Sequence, residues 1–505
     1  MNVMKYFISI MSFALAQNSI AGIICSQVGE SGTSSLSCPS GQVMISIDFA
    51  SYGLPTGACG NFAAQSSCHA GTSLNVVKAA CATGKSTCSV KASNSVFADP
   101  CVGKRKKLFV QVSCAATSTA ASAVPGSNVS VPPPIKVPVN KLALPSIVNG
   151  VVALQCGQVY GGTLDLTSKS NVTVKVNGNC GKPTIVPNAG ATAIVAPRST
   201  YITISGIKIQ GGARGINVND ADHITISNVD ILKSGDAGIY CSGVDVMKVS
   251  DSTFSDSGKT GIDCGSWVTN SSVKNSTFLS AGAAGGNYTG IGIYFGDGSG
   301  NTVDHNTVSN TVYHGIVVLH NSNTIASANL VSSTCTGADK DCGAIYTGDR
   351  TKDNLQLTIS GNKVVNNSAI GIYLDDFSSG VIVTGNEIGN SSQAMVLHNG
   401  FNNIIKNNNF YASAVRHIAF AQDFDNAVYG NQVTYNTFTA TKGELAFSFE
   451  TGQNLKTFAV FDYNTYSGNA SNFARFWTGG NNAGFNKTFT EWKSYVNQDA
   501  HSKMK

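Results

Sequence analysis

Gly215-Ile216-Asn217, Gly238-Ile239-Tyr240, Gly261-Ile262-Asp263, Gly292-Ile293-Tyr294, Gly315-Ile316-Val317 and Gly371-Ile372-Tyr373 are versions of one phrase, Gly-Ile-X, spread down the middle of a 505-residue chain. Successive glycines lie 23, 23, 31, 23 and 56 residues apart, the last step being two coils of 28. A loose period of roughly 20 to 30 residues with one short strand phrase per repeat describes a stacked solenoid, in which each coil buries its apolar residues only against its neighbours. The phrase predicts a parallel β-helix.

A second ladder supports it. An Asn followed by an alternating apolar stretch recurs at Asn306, Asn329, Asn362, Asn386, Asn408, Asn436 and Asn464. Asn tolerates left-handed backbone, and stacked amides can pair from coil to coil. Composition agrees: 53 glycines and only 12% charged residues describe a mainly β, turn-rich, exported protein. Lys5, the apolar stretch from Tyr6 to Ala16 and the small-residue site Ser19-Ile20-Ala21 read as a secretory signal peptide over residues 1–21. No later segment carries the ~18 consecutive apolar residues of a membrane span. A net charge of +5 spread over the chain does not point to nucleic acid. The one basic run, Lys104-Arg105-Lys106-Lys107, reads as a solvated turn.

Cysteine usage divides the chain. Cys25, Cys38, Cys59, Cys68, Cys81, Cys88, Cys101 and Cys114 fall within residues 22–115, a density that in an exported module means a disulfide framework. No C-x2-C ligand pair suggests zinc. Residues 116–146, rich in Ser, Thr and Pro with Pro132-Pro133-Pro134, read as a semi-rigid linker, and the solenoid is expected over residues 147–502.

Within the cysteine module, Ala50-Ser51-Tyr52-Gly53, Ala80-Cys81, Ser86-Thr87-Cys88, Asn94, Asp99-Pro100-Cys101-Val102-Gly103, Lys106 and Leu108-Phe109-Val110 closing on Cys114 resemble the galactose- and rhamnose-binding lectins first seen in sea-urchin eggs. The resemblance implies Tyr52, Asn94, Asp99, Gly103 and Lys106 as sugar contacts. Three positions depart from the family pattern: Leu54 replaces the usual Arg, Ser26 the acid after the first cysteine, and Lys107 the expected Tyr. Glu30 is an acid nearby, at a different spacing from the missing one.

In the second domain side chains alternate along each strand. With Ile inward, the outward column reads Asn217, Tyr240, Asp263, Tyr294, Val317, Tyr346, Tyr373 and Val396, and the strand ends supply Asp297, His320, Asp349, Asp375, Asp376 and His398. Aromatic faces beside paired acids suit a sugar chain and its glycosidic oxygen. Coils stack about 4.8 Å apart, so acids one rung apart approach the ~5 Å of retaining glycosidases and acids two rungs apart the ~6.5 to 9.5 Å of inverting ones. Asp375 or Asp376 is read as nucleophile or base and Asp349 as the acid, with Asp297 as its substitute. Tyr294, Tyr346, Tyr373, His320 and His398 would orient the sugar. No cofactor is required; the other reading of an Asp-Asp corner is turn chemistry or a structural Ca2+.

Gly343-Ala344-Ile345-Tyr346-Thr347, the run from Gly371 through Asp375-Asp376 to Gly380, and His398-Asn399-Gly400-Phe401-Asn402-Asn403 resemble core repeats of secreted right-handed β-helix glycoside hydrolases of the pectate-lyase-like superfamily. The segment from Phe489 to Lys493 and that from Gln498 to Ser502 resemble their C-terminal ends. Cys156-Gly157-Gln158-Val159-Tyr160-Gly161-Gly162 is similar to their first rung, where Cys156 and Cys180 could pair. Cys335 and Cys342 bracket an inserted turn and are expected to pair, whereas Cys241 and Cys264 read as packed inward thiols. The expectation is a secreted, monomeric glycoside hydrolase acting on a polysaccharide or glycan with galactose- or rhamnose-like sugars. A lyase using Arg350, Lys352 or Arg416 and a non-catalytic adhesin are the alternatives.

Overall fold

The computed structural model describes residues 22–40, 42–59, 61–65, 67–81, 85–116, 141–282, 289–423, 427–441, 443–450, 458–468, 470–477 and 484–505. The expected signal peptide and all but the ends of the expected linker lie outside them. The chain divides into two compact units, Met1–Ile135 and Lys136–Lys505.

In the first unit, strands Gly22–Gly29, Lys107–Ala116 and Gln42–Gly53 form an antiparallel sheet with Lys107–Ala116 in the centre. Thr33–Ser37 pairs with Thr87–Lys91, and its alternating exposure puts Ser34 and Leu36 inside. So small a core gains from cross-links. Four disulfides supply them, joining Cys25 to Cys59, Cys38 to Cys114, Cys68 to Cys101 and Cys81 to Cys88.

The second unit is the β-helix. Among the described residues its coils hydrogen-bond into one 15-stranded parallel sheet and one 27-stranded sheet that is parallel except at Phe485–Lys487, the latter turning a corner. Stacking begins at Leu142–Ala143, which pairs beside Tyr160 and Gly161, slightly ahead of the boundary expected at residue 147. The isoleucines of the repeated phrase are in register, Ile216 on Ile239 on Ile262 on Ile293 on Ile316 on Ile345 on Ile372, and all are buried. Burying each contributes about 2 kcal/mol. Except at Ile345, which follows Ala344, a glycine precedes each and is required by space: a Cβ at Gly238 would lie 2.6 Å from the Gly261 carbonyl oxygen, and one at Gly371 would lie 2.5 Å from that of Ala394.

The Asn ladder forms inside the coils. Asn362 Oδ1 accepts from the backbone N–H of Asn329 at 2.9 Å and from its Nδ2 at 3.0 Å, and the pattern repeats through Asn386, Asn408 and Asn436 to Asn464. The left-handed corner belongs to the preceding residue, as at His305, Ala328, Asn407, Tyr435 and Tyr463, so the ladder asparagines are there for their amides rather than for backbone tolerance. At the C-terminal end, helix Phe489–Val496 starts with a Thr488–Glu491 capping box and covers the last coil with buried Trp492.

Cys156–Cys180 and Cys335–Cys342 pair as expected. Cys241 and Cys264 are also paired, which corrects their reading as free thiols: they face inward on consecutive coils with Cα atoms 4.5 Å apart, within disulfide reach. No helix among the described residues is long and apolar enough to cross a membrane.

Candidate active site

Strands Ile291–Phe295, Gly343–Gly348, Ile370–Asp375 and Gln393–His398 carry the outward column, and its register is the one read from alternation: Tyr294 on Val317 on Tyr346 on Tyr373 on Val396. Beside it opens a cleft of about 580 Å³, lined by Tyr294, Val317, Tyr346, Tyr373, Asp375, Asp376 and His398 together with Tyr313, His314, Leu319, Asp341 and Arg350.

Asp375 closes the strand at the floor of this cleft, and the next two residues, Asp376 and Phe377, take left-handed backbone that turns the chain away. Its Oδ2 accepts from the Tyr346 hydroxyl at 2.9 Å, while Oδ1 accepts from His398 Nδ1 at 2.6 Å and from the Asp376 N–H at 2.9 Å. Burial pushes this carboxyl up, yet the hydrogen bonds from His398 and Tyr346 outweigh it and hold the group below the usual carboxylate range. His398 Nε2 meets Asp423 Oδ2 at 2.7 Å, so both ring nitrogens face carboxylates. The Asp375 hydrogen bond, opposed by burial and helped by Asp423, pushes this imidazole up to about 9. Asp376 is paired with Arg350 Nε at 2.9 Å on the rim.

The phenols are donors. Burial and then the charge of Asp375 raise Tyr346 and Tyr373 far above the ordinary phenol value, so neither serves as a base. Tyr373 shares the cleft lining with Asp375 and Asp341, and after burial the charges of both raise it. Burial and the nearby Asp375 charge raise Asp341. His314, packed between Tyr313 and Tyr346 with centroids 3.9 and 4.3 Å away, places Nδ1 3.0 Å from the Gly343 backbone nitrogen and 3.2 Å from the Gly343 carbonyl oxygen. Burial lowers it to about 4, leaving a neutral ring.

Three expected residues do not join the cleft. Asp349 is fully buried, because its Oδ1 folds back onto the Thr351 N–H and hydroxyl in an Asx turn, so it is not on the open face. Asp297 and His320 pair with each other at 3.2 Å away from the cleft lining, and His320 Nε2 accepts the Arg350 N–H at 3.2 Å. The residues that alternation could not supply are His314, which lies just before the repeat phrase, Asp423, and Asp341, whose only signal was its place beside Cys342.

Asp375, Asp376 and His398 bring ligand atoms within 4.8 Å of one another. An imidazole held protonated between Asp375 and Asp423 already supplies the positive charge, and Ca2+ takes oxygen ligands only, so these donors fit an ion-pair cluster better than a Ca2+ site.

In the first unit the expected sugar contacts converge. The Tyr52 hydroxyl lies 2.8 Å from Asn94 Oδ1 and 3.3 Å from Glu30 Oε1, Asn94 Nδ2 donates to Asp99 at 3.1 Å, and Lys106 Nζ meets Asp99 Oδ1 at 2.8 Å. Glu30 belongs to this cluster despite its spacing, since it also accepts the Lys106 N–H at 3.0 Å. Burial, then Glu30, push the Tyr52 phenol up to about 12. Gly103 is exposed in the following turn, in left-handed backbone. Of the basic run, Lys104, Arg105 and Lys107 are exposed, but Lys106 is buried in its ion pair rather than solvated.

Fold and sites together define a lectin module followed by a right-handed β-helix with an acid-bearing, aromatic cleft. Residues 36–114 match the model of the D-galactoside/L-rhamnose binding SUEL lectin domain, and the chain belongs to that family through this module. Residues 191–355 match a right handed beta helix region, and 332–470 the family described as periplasmic copper-binding protein (NosD). The module is 41% identical over 93 residues to the D-galactoside-specific lectin of Heliocidaris crassispina, covering 17% of this chain and 87% of that one. It is 48% identical over 81 residues to beta-galactosidase 8 of Arabidopsis thaliana, covering 16% of this chain and 9% of that one. The chain thus spans about a tenth of the length of the plant β-galactosidases it matches. Among solved structures, it is similar to the catalytic unit of a GH87 alpha-1,3-glucanase from Streptomyces thermodiastaticus, at 12% identity, a TM-score of 0.46, and coverage of 83% of this chain and 89% of that one. This likeness concerns the fold alone.

Proposed function

We propose that this protein is an extracellular carbohydrate-active enzyme, a glycoside hydrolase acting on a polysaccharide in the β-helix cleft and brought to it by the lectin module. The observation that carries this reading is Asp375: an ionised carboxylate, held by His398 and Tyr346 beside Asp376, at the floor of a cleft walled by tyrosines. Such a group is poised to meet the positive charge that develops at an anomeric carbon, or to attack it, while aromatic faces hold the ring. Seven disulfides fit an oxidising, extracellular setting. A weak sugar contact on the same chain raises the local concentration of the cleft at a galactose- or rhamnose-bearing glycan.

A lyase is the second reading, favoured by Arg350 on the cleft rim, where a guanidinium could neutralise a uronate carboxylate. One screen separates the two. Plant, algal and microbial polysaccharides are incubated with the secreted protein, and reducing ends and unsaturated-uronate absorbance are read in the same tubes. Reducing ends without absorbance, lost in Asp375→Asn, support the hydrolase; absorbance lost in Arg350→Ala supports the lyase. Neither signal, with galactoside binding intact, makes the protein a glycan-binding adhesin.

A further inference from the structure

With Asp349 buried, the hydrolase reading lacks a proton donor. Resting on that reading, we propose that Asp341 is the general acid of the cleft, brought into it from outside the repeat by the turn that Cys335–Cys342 closes.

Asp341 lies in an insertion between two coils, not in the outward column. Cys335 and Cys342 are both buried and bonded. Inside the loop they close, Lys340 Nζ donates to the carbonyls of Cys335 at 2.9 Å and Gly337 at 2.8 Å, and the Asp341 N–H donates to Asp339 Oδ1 at 3.0 Å. Strand Gly343–Gly348 begins two residues later, so the turn is anchored to the cleft wall by the disulfide and the strand alike.

The position answers the chemistry. The Tyr373 phenol is raised by the charges of both Asp375 and Asp341. Asp341, Tyr373 and Asp375 line the same cleft, where a bound glycosidic oxygen would meet both carboxyls. The charged and titratable groups facing Asp341 are Asp375, Asp339, Tyr373 and His398. Their balance, with burial, keeps Asp341 raised while Asp375 is lowered, and two carboxyls driven apart divide into acid and base.

The step balances. An Asp375 oxygen bonds to the anomeric carbon as the bond from that carbon to the glycosidic oxygen breaks; that oxygen keeps the electron pair and takes the Asp341 proton, leaving as an alcohol. Asp341, now ionised, takes a proton from water, the water oxygen bonds to the anomeric carbon, and Asp375 leaves as carboxylate.

The test uses the full chain. Wild type and Asp341→Asn are compared on the polysaccharide that wild type cleaves and on the dinitrophenyl glycoside of its sugar, whose leaving group needs no proton, with circular dichroism confirming the fold. The expected result, read as kcat/KM so that only the bond-breaking step is compared, is a roughly 100-fold or greater loss on the polymer, less than about tenfold on the aryl glycoside, and loss of the basic limb of the kcat/KM profile. Cys335→Ser with Cys342→Ser should also lower polymer cleavage while sparing the aryl glycoside. Wild-type activity retained by Asp341→Asn, or a kcat/KM lost equally on both substrates, overturns the assignment while leaving the hydrolase intact. A wild type that releases no reducing ends overturns both.

Discussion

Replacing Asp375 by Asn should change the charge of its neighbour. In the wild type both nitrogens of His398 face carboxylates, at 2.6 Å to Asp375 and 2.7 Å to Asp423, and the ring titrates at about 9. At pH 7.5 it is therefore about 97% imidazolium. Asn removes the largest raising influence and leaves the burial that opposes it, so the ring should titrate near 6.5 and be about 10% protonated at pH 7.5. Stability follows the same sign. The folded value lies above the unfolded one, so the His398 contribution is full below about 6.5 and is lost as pH rises through about 9. Discounted for solvent screening it is on the order of 1–2 kcal/mol. Asp375, lowered on folding, contributes above the ordinary carboxylate value and loses that contribution as pH falls through its folded one. Long-range 1H–15N NMR of the imidazoles, assigned with His398→Gln, reads the titration, and urea unfolding between pH 6 and 9.5 reads the stability. A wild-type His398 that titrates near 6.5, or that Asp375→Asn leaves unmoved, refutes the ion-pair cluster and with it the reason Asp375 stays ionised.

Asn386→Ala should cost about 3 kcal/mol in urea unfolding, because the buried Asn362 N–H and the Ile359 carbonyl lose their partner, while Asn386→Ser should cost less, as Ser502 already ends the ladder by accepting the Asn464 N–H. Gly238→Ala should destabilise by about 1–3 kcal/mol by pushing a methyl against the Gly261 carbonyl. Thiol titration of the unreduced, denatured chain should find none of the 14 cysteines free. Asp99→Asn, which weakens the charge holding Lys106, should abolish retention on a galactoside column without shifting the melting transition of the second unit.

How far the sequence could be read depended on whether a residue obeyed the repeat. Tyr294 and Tyr373 were legible because two rules agree on them, strand alternation and a glycine whose missing Cβ lets the next coil approach, while Tyr346, behind Ala344-Ile345, was legible from alternation alone. Beyond the strand end the rules diverge. Asp349 and Asp376 sit one coil apart, joined by the Asp349 N–H to the Asp376 carbonyl, yet one carboxylate folds inward onto Thr351 and the other turns out to Arg350. That choice is made by local hydrogen bonds no period encodes. Asp341 was hidden for the opposite reason, since it belongs to an insertion with no counterpart on other coils. Cys241 and Cys264 were placed correctly, inward and on consecutive coils, and misread only in their chemistry.

The way the stack stops has a consequence for the protein as material. Each coil presents the next with a parallel edge and a column of rings, so the structure is in effect a polymer that grows by addition of identical units. Strand Phe485–Lys487 runs antiparallel to Ala474–Trp477, and Trp492 packs on Phe447, Phe449 and Phe461 at 5.5, 5.5 and 5.1 Å. A reversed strand on the 27-stranded sheet and an indole plug over the core act as chain terminators, turning an edge of the wrong polarity toward any coil that would extend that sheet. The segment from Phe485 onward thus breaks, on that sheet, a repeat that could otherwise add coils without limit.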